Sequence, residues 1–170
     1  MVVLNGVKMP ILIVDGYNII GAWDKLKALK KNDMGSARDQ LVAVLAAFRP
    51  WSWKRIIVVF DGQEFAWDHI DGVEVVFTGS RETADTMIER LAAGLAASYE
   101  VEVATSDFAE YRASSSVGAT VLSAAALRER LNQQRERYRR HLGSPQKKGL
   151  MLNNILAESV LDALERIRRS

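Results

Sequence analysis

The sequence contains no cysteine and only two histidines among its 170 residues. Without cysteine, the chain can form neither disulfides nor thiolate-liganded metal sites. His69 and His141 lie far apart in the chain and have no spacing typical of metal ligands. A zinc site is therefore disfavoured, and any bound metal is expected to be a hard cation held by oxygen atoms.

Long apolar runs and glycine-rich turns are also missing. No stretch of the sequence approaches the roughly 18 apolar residues that a membrane-spanning helix requires. The first eight residues lack the basic start and apolar centre of a signal peptide. Gly16 and Gly21 are too sparse to form a dinucleotide-binding or P-loop fingerprint. We therefore expect no membrane association, and a location in the cytoplasm or an equivalent reducing compartment.

The net charge of +2 is distributed unevenly along the chain. Residues 1–127 contain 12 Lys and Arg against 16 Asp and Glu, whereas residues 128–170 contain 11 against 5. An acidic body followed by a basic segment predicts carboxylates gathered around a cation and arginines gathered around phosphate. The alternative is that the basic helices are ordinary solvated surface.

Three predicted strands each lead into an aspartate. The strands and their aspartates are 11–14 with Asp15, 56–60 with Asp61 and 101–106 with Asp107. Continuous apolar runs are typical of strands buried on both faces of a parallel sheet. The carboxyl ends of such strands share the edge where open α/β folds bind ligands. The repetition predicts one acidic site, although any single aspartate could simply form a turn.

The alternation of strands and helices predicts an α/β fold with three layers, in which a mostly parallel sheet has helices on both faces. Further strands are predicted at residues 73–77 and 119–122, and helices at 23–31, 37–48, 82–98, 108–115 and 123–142. Ser36 is expected to cap the second of these helices and Pro50 to end it. Residues 63–72 are predicted to form a loop.

The domain organisation follows from one linker-like stretch. Residues 143–149 combine glycine, serine, proline and lysine, which is typical of a linker. We therefore predict a single domain over residues 1–142 and a C-terminal amphipathic helix within residues 150–170.

Six polar residues are candidates for the site. They are Asp15, Asp61, Asp85 and Asp107, with Asn18 and Glu82 as auxiliaries. Packed carboxylates raise one another's pKa unless a cation joins them, and oxygen ligands suit Mg²⁺ or Mn²⁺. Such a site predicts in-line hydrolysis of a phosphodiester or a related ester. For Glu82 and Asp85 the alternative is stabilisation of a helix N-terminus by their charge.

Arginines dominate the predicted helix at 123–142. The candidates for binding RNA phosphates are Arg128, Arg135, Arg137, Arg139 and Arg140. Guanidinium groups match phosphate geometry, so this helix is predicted to contact RNA or a ribosome. Glu129 and Glu136 partly neutralise the arginines, which supports the alternative of a solvated helix face.

Four segments in this order resemble the YacP-like branch of the NYN-domain family, which belongs with the PIN-like, FLAP-nuclease-like ribonucleases. They are Val14-Asp15-Gly16-Tyr17-Asn18, Phe60-Asp61-Gly62, Glu82-Thr83-Ala84-Asp85 and Thr105-Ser106-Asp107. The resemblance spans roughly residues 11–142. It implies a compact PIN-like fold and a metal-dependent endoribonuclease acting on RNA, with messenger RNA on the ribosome as one target.

The resemblance also implies roles for individual residues. Asp15, Asp85 and Asp107 are expected to be the catalytic carboxylates and to bind Mg²⁺ or Mn²⁺. Asn18 and Asp61 are expected to line the same site, with Glu82 supporting it. The competing hypothesis is a non-catalytic adaptor that binds RNA or a ribosome on the same fold, in which the aspartates serve only as turn residues.

Overall fold

The computed structural model describes residues 3–4 and 7–142. The predicted linker at 143–149 and the predicted helix within 150–170 lie outside these residues. A short antiparallel pair, β1 (Val3–Leu4) and β2 (Val7–Lys8), precedes the main sheet.

Six further strands form one mixed sheet. They are β3 (Ile11–Asp15), β4 (Arg55–Phe60), β5 (Ala66–Ile70), β6 (Val73–Phe77), β7 (Val101–Ala104) and β8 (Thr120–Leu122). Their order across the sheet is β5-β6-β4-β3-β7-β8. Only β5 pairs antiparallel with its neighbour, and the other five strands run parallel. The mostly parallel sheet predicted from the sequence is thereby confirmed.

Helices cover both faces of this sheet. They are α1 (Gly16–Ala22), α2 (Asp24–Lys30), α3 (Met34–Ser52), α4 (Ala84–Ala96), α5 (Phe108–Ser116) and α6 (Ala124–Leu142). On one face Leu12 and Val14 join an apolar core with α1, α2, α3 and α6. On the other face Ile11 and Ile13 pack with α4, beside which α5 lies. Alternate residues of a strand point to opposite faces, so the fully buried run in β3 serves both cores.

The helix predicted over residues 37–48 is longer at both ends. Asp33, rather than Ser36, caps α3, because its Oδ1 accepts a hydrogen bond from the Ser36 amide at 3.0 Å. Pro50 lies inside the helix, so the prediction that it ends α3 is wrong. A proline lacks the amide donor and its ring crowds the preceding turn, which can kink a helix without ending it. The amide of Trp53 still donates to the Arg49 carbonyl at 3.1 Å and closes the last turn.

Part of the predicted loop at 63–72 is the strand β5. This strand lies at the edge of the sheet and is largely exposed, so it lacks the apolar pattern by which buried strands are recognised. Trp67 fixes it to β6 by donating its Nε1 hydrogen to Glu74 Oε2 at 3.1 Å. Among the residues described, no helix combines the length and apolarity needed to cross a bilayer.

Candidate active site

The carboxyl ends of the five parallel strands form one edge of the sheet, called here the acidic edge. Three of its aspartates follow strands: Asp15 ends β3, Asp61 follows β4 and Asp107 comes shortly after β7. From β3 the chain moves through β4 to β6, then returns to β7 on the other side of β3. The gap between β3 and β7 is therefore a topological switch point, where open α/β sheets bind ligands.

Asp15 and Asn18 connect the two sides of this gap. Asp15 is 8% exposed and caps α1, with Oδ1 accepting a hydrogen bond from the Asn18 amide at 3.3 Å. Asn18 Oδ1 accepts a hydrogen bond from the Ser106 amide at 2.7 Å, across the gap. Ser106 Oγ in turn accepts from the Ala124 amide at 3.0 Å, where α6 begins. The first turn of α1 and the loop after β7 are thus held together by the Asn18 side chain.

Asp61 orients the start of α4. Its Oδ1 accepts a hydrogen bond from the Ala84 amide at 2.8 Å. Thr83 caps the same helix through the Thr86 amide at 3.2 Å. Since Ala84 is the first residue of α4, this contact holds Asp85 beside Asp61.

Asp107 is fixed in a similar way at the start of α5. Its amide donates to Thr105 Oγ1 at 3.0 Å, and its Oδ1 accepts from the Ala109 amide at 2.8 Å. Thr105 is 2% exposed, so the turn that carries Asp107 is anchored in the core.

The carboxylates of Asp61 and Asp107 lie close enough to Asp85 to act on it electrostatically. The Asp85 side chain is exposed, but loss of part of its hydration, followed by the negative charges of Asp107 and Asp61, raises the pKa of Asp85 above its usual value. Like charges disfavour one another's ionisation when they lie close together. The structure therefore brings these three predicted residues together, on the edge where Asp15 and Asn18 lie.

Tyr17 and Arg38 form an adjoining feature that sequence reasoning missed. The ring of Tyr17 lies 5.0 Å from that of Phe60, which stacks on Phe77 at 5.5 Å. Arg38 Nη1 donates to the Tyr17 hydroxyl at 2.9 Å, and its guanidinium lies 5.5 Å from the Phe77 ring centre. Tyr17 lies within the first motif. Arg38 has no local sequence signal, because it reaches the acidic edge only through the packing of α3.

The family model described as the YacP-like NYN domain matches residues 12–169. The chain belongs to this family. It is 40% identical over 171 residues to the protein YacP of Bacillus subtilis (strain 168), with 95% of this chain and 98% of that one covered. The crystal structure of Rae1 (YacP) from Bacillus subtilis is similar with a TM-score of 0.70 at 39% identity, covering 95% of this chain and 96% of that one. A point mutant of Rae1 gives a TM-score of 0.67 at 40% identity, with 91% and 92% covered.

The family match confirms the resemblance and extends it. The motifs alone indicated residues 11–142, whereas the YacP-like NYN domain match continues to residue 169. The C-terminal segment therefore belongs to the pattern that defines the family. The domain boundary after residue 142 stays a prediction.

Glu82 is engaged in an ion pair within this NYN domain. Both of its carboxylate oxygens accept hydrogen bonds from Arg90, each at 3.1 Å. The side chain that was predicted to support the site is thus neutralised by a guanidinium on α4. Its contact with Arg90 stabilises the first half of that helix.

The acidic edge fits a hydrated divalent cation. Among the residues described, no three His, Asp or Glu side chains approach closely enough to enclose a metal ion on their own. Mg²⁺ commonly keeps several waters and takes only one or two carboxylates from the protein. A donor set of carboxylate and amide oxygens without thiolates matches Mg²⁺ or Mn²⁺. That Asp15, Asp85 and Asp107 bind the metal stays a prediction.

The arginines of α6 have different environments. Arg135 is only 6% exposed and lies 3.5 Å from Glu136, which is also 3.6 Å from Arg139. Arg137 and Arg140 are exposed, whereas Arg128 and Arg139 are half-buried. Of the five predicted RNA contacts, the buried Arg135 is therefore the least accessible.

Most of these arginines lie far from the acidic edge. Helix α6 begins beside Ser106 at that edge, and Arg130 already pairs with Glu102, the second residue of β7. At 1.5 Å per residue, Arg137 lies roughly 20 Å along the helix from its start. A long RNA could contact both regions, but a single nucleotide could not.

Proposed function

We propose that this NYN domain is a divalent-metal-dependent endoribonuclease that hydrolyses RNA phosphodiesters at the acidic edge. The observation that carries the proposal is the approach of the Asp61 and Asp107 carboxylates to Asp85, with the raised pKa of Asp85. Carboxyl groups whose pKa is shifted by specific charged neighbours are often found at functional sites. Membership in a family with a nuclease-like fold favours RNA as the substrate.

Each residue has a distinct task in this proposal. Asp15, Asp85 and Asp107 would hold the hydrated cation, partly through its bound waters. Asp61 keeps the start of α4 in place through the Ala84 amide. Asn18 holds the loop that carries Asp107 close to β3. The chemistry that such a cation supplies is a lowered pKa for the attacking water and neutralisation of charge on the phosphate.

RNA cleavage with and without metal tests the proposal. RNA labelled at either end is incubated with the protein in Mg²⁺, Mn²⁺ or a chelator, and internal cleavage is expected only with metal. The family resemblance implies messenger RNA on the ribosome as a target, so translating ribosomes form a second arm. RNA or ribosome binding without cleavage in any arm would contradict the nuclease and favour the adaptor.

Metal binding should also stabilise the fold. A cation that binds only the folded state at 100 times its Kd adds about 2.7 kcal/mol to the free energy of unfolding. For a chain of this length that corresponds to a rise in Tm of roughly 5–10 °C. We expect Mg²⁺ or Mn²⁺ to produce this rise in a thermal unfolding assay.

Two single-charge variants test whether the cation binds at the acidic edge. Asp85→Asn should remove most of the metal-dependent rise, whereas Asp68→Asn, which removes the same charge from the exposed strand β5, should retain it. An equal rise in both variants would place the cation elsewhere.

The exposed arginines of α6 are expected to influence RNA affinity rather than chemistry. Replacing Arg137 and Arg140 with glutamine should make the slope of log K against log salt shallower by about 1.4, or about 0.7 for each lost phosphate contact. The slope is measured by fluorescence anisotropy with single-stranded RNA in a chelator. Lysine at both positions keeps the charge and should keep the slope. An unchanged slope in the glutamine variant would indicate solvated surface.

A further inference from the structure

Phe65 is unusually exposed for its position beside the acidic edge. It is 61% exposed, four residues after Asp61, in the loop that joins β4 to β5. Two hydrogen bonds fix this loop to the one that follows β6: the Gly62 amide donates to Thr78 Oγ1 at 3.2 Å, and the Ser80 amide donates to the Gln63 carbonyl at 3.0 Å.

The loop contact extends to Phe65 itself. A Cβ atom on Gly79 would lie 3.8 Å from Phe65 Cβ, so the two loops pack directly against each other there. The Phe65 ring is therefore exposed to solvent, and the loop that carries it is fixed by these contacts.

Arg38 supplies a positive charge at the same end of the sheet. One of its five N–H donors is bonded to the Tyr17 hydroxyl, and its guanidinium lies over Phe77, the last residue of β6. These two contacts fix the direction of the guanidinium. Phe77 is also near the loop that carries Phe65, because a Cβ on Gly62 would lie 3.2 Å from Phe77 Cβ. Arg38 and Phe65 thus both adjoin the ends of β4 and β6.

We propose that Phe65 and Arg38 form a nucleotide-binding subsite in which Phe65 stacks on an unpaired RNA base and Arg38 binds a neighbouring phosphate. This inference rests on the proposed RNA substrate. Aromatic rings stack on any base, and arginine matches phosphate geometry. Neighbouring strands are about 4.8 Å apart, so the end of β6 lies roughly 10 Å from β3. That spacing fits a nucleotide adjacent to the cleaved bond.

The subsite explains how an acidic edge could hold an anionic polymer. The exposed arginines of α6 lie too far along that helix to hold the nucleotide next to the carboxylates. Stacking contributes affinity without adding charge, and one guanidinium offsets the repulsion of phosphate by the aspartates. Stacking on Phe65 also requires an unpaired base, so the subsite selects single strands over duplexes.

RNA binding in a chelator tests the subsite separately from cleavage. A labelled 12-nucleotide single strand is titrated with the wild type and with Phe65→Ala, Phe65→Leu and Phe65→Trp. We expect the alanine and leucine variants to lose about tenfold in affinity and the tryptophan variant to keep it. Ile70→Ala, which removes an exposed apolar side chain from β5, is the matched control and should bind as the wild type does.

RNA probes with one abasic position identify the stacked base. At one position the abasic substitution should weaken binding to the wild type by about the same factor as Phe65→Ala. The two changes together should cost no more than either alone, because both remove the same contact. Arg38→Gln should lower affinity and make the salt slope shallower by about 0.7, and Arg38→Lys should restore the slope.

The outcomes separate this inference from the proposed function. Wild-type affinity in Phe65→Ala, or equal affinity in the leucine and tryptophan variants, overturns the stacking role even if the protein cleaves RNA. Additive losses with every abasic probe overturn it as well. If binding depends on Phe65 as expected but no metal-dependent cleavage occurs, the subsite stands and the nuclease proposal fails.

Discussion

Replacing Asp85 with asparagine is expected to reduce RNA cleavage on the order of 10²–10³-fold while leaving the fold at least as stable as the wild type. The loss follows because the variant keeps the shape of the side chain but removes its charge from the proposed cation site. The stability follows because the charge is unfavourable there, as the raised pKa of Asp85 indicates. Asp15→Asn should cause a similar loss of cleavage, because it also removes a charge from the proposed cation site. The variant should stay folded, since asparagine can still cap α1.

The pH dependence of this stability difference has a definite sign. A carboxyl whose pKa is higher in the folded state favours folding when it is protonated and loses that contribution as the pH rises through the folded pKa. The Tm advantage of Asp85→Asn in chelator should therefore be largest near neutral pH and shrink as the solution becomes acidic. Thermal unfolding at several pH values and single-turnover cleavage measure the two effects.

Glu89→Gln is the matched control for Asp85→Asn. It removes one negative charge from an exposed position on the same helix, and both cleavage and Tm should stay near wild-type values. Wild-type cleavage by a folded Asp85→Asn protein would refute the assignment of Asp85 to the cation site.

Replacing Gly16 with alanine is expected to destabilise the fold by about 1–3 kcal/mol and to impair cleavage. A Cβ at Gly16 would lie 2.2 Å from Phe60 Cε1, which no side chain can tolerate without movement. The Phe60 ring is held between Tyr17 and Phe77, so the shift would reach Asp15 on one side and Asp61 on the other. Denaturant unfolding and cleavage rates measure both consequences.

Gly21→Ala controls for the change of glycine to alanine. Gly21 lies in the same helix, and a Cβ added there would meet nothing within 4 Å. Alanine should therefore stabilise the protein by roughly 0.5–1 kcal/mol through its higher helix propensity. If Gly16→Ala were as stable and active as Gly21→Ala, the close packing of Phe60 would have no bearing on the site.

The buried strands and their aspartates could be predicted because both signals are local. Fully buried strands appear as continuous apolar runs, and Asp15 and Asp61 come directly at their ends. The parallel order then places the carboxylates on one edge without further information. Trp53, just before β4, is 1% exposed and donates its Nε1 hydrogen to Glu102 at 2.7 Å.

Features that depend on contacts between distant segments of the chain could not be predicted from the sequence. The burial of Arg135 cannot be read from a run of arginines, since each has the same local pattern. The bridge between Asn18 and Ser106 joins two motifs whose separation along the chain hides it. The role of Gly16 also depends on a distant residue. A glycine directly after a strand predicts a sharp turn, but Gly16 begins α1, and the Phe60 ring occupies the space of a side chain there.

The central position of β3 has a consequence for the synthesis of the chain. Strand β3 is made early, but its neighbour β7 and the Ser106 amide come much later, at 88 positions from Asn18. Contacts of such long range form late in folding, because the intervening chain must first be closed into a loop. A nascent chain that has emerged only as far as α4 therefore contains Asp15, Asp61 and Asp85 but lacks β7 and the loop that carries Asp107. The acidic edge is completed only when most of the domain has left the ribosome.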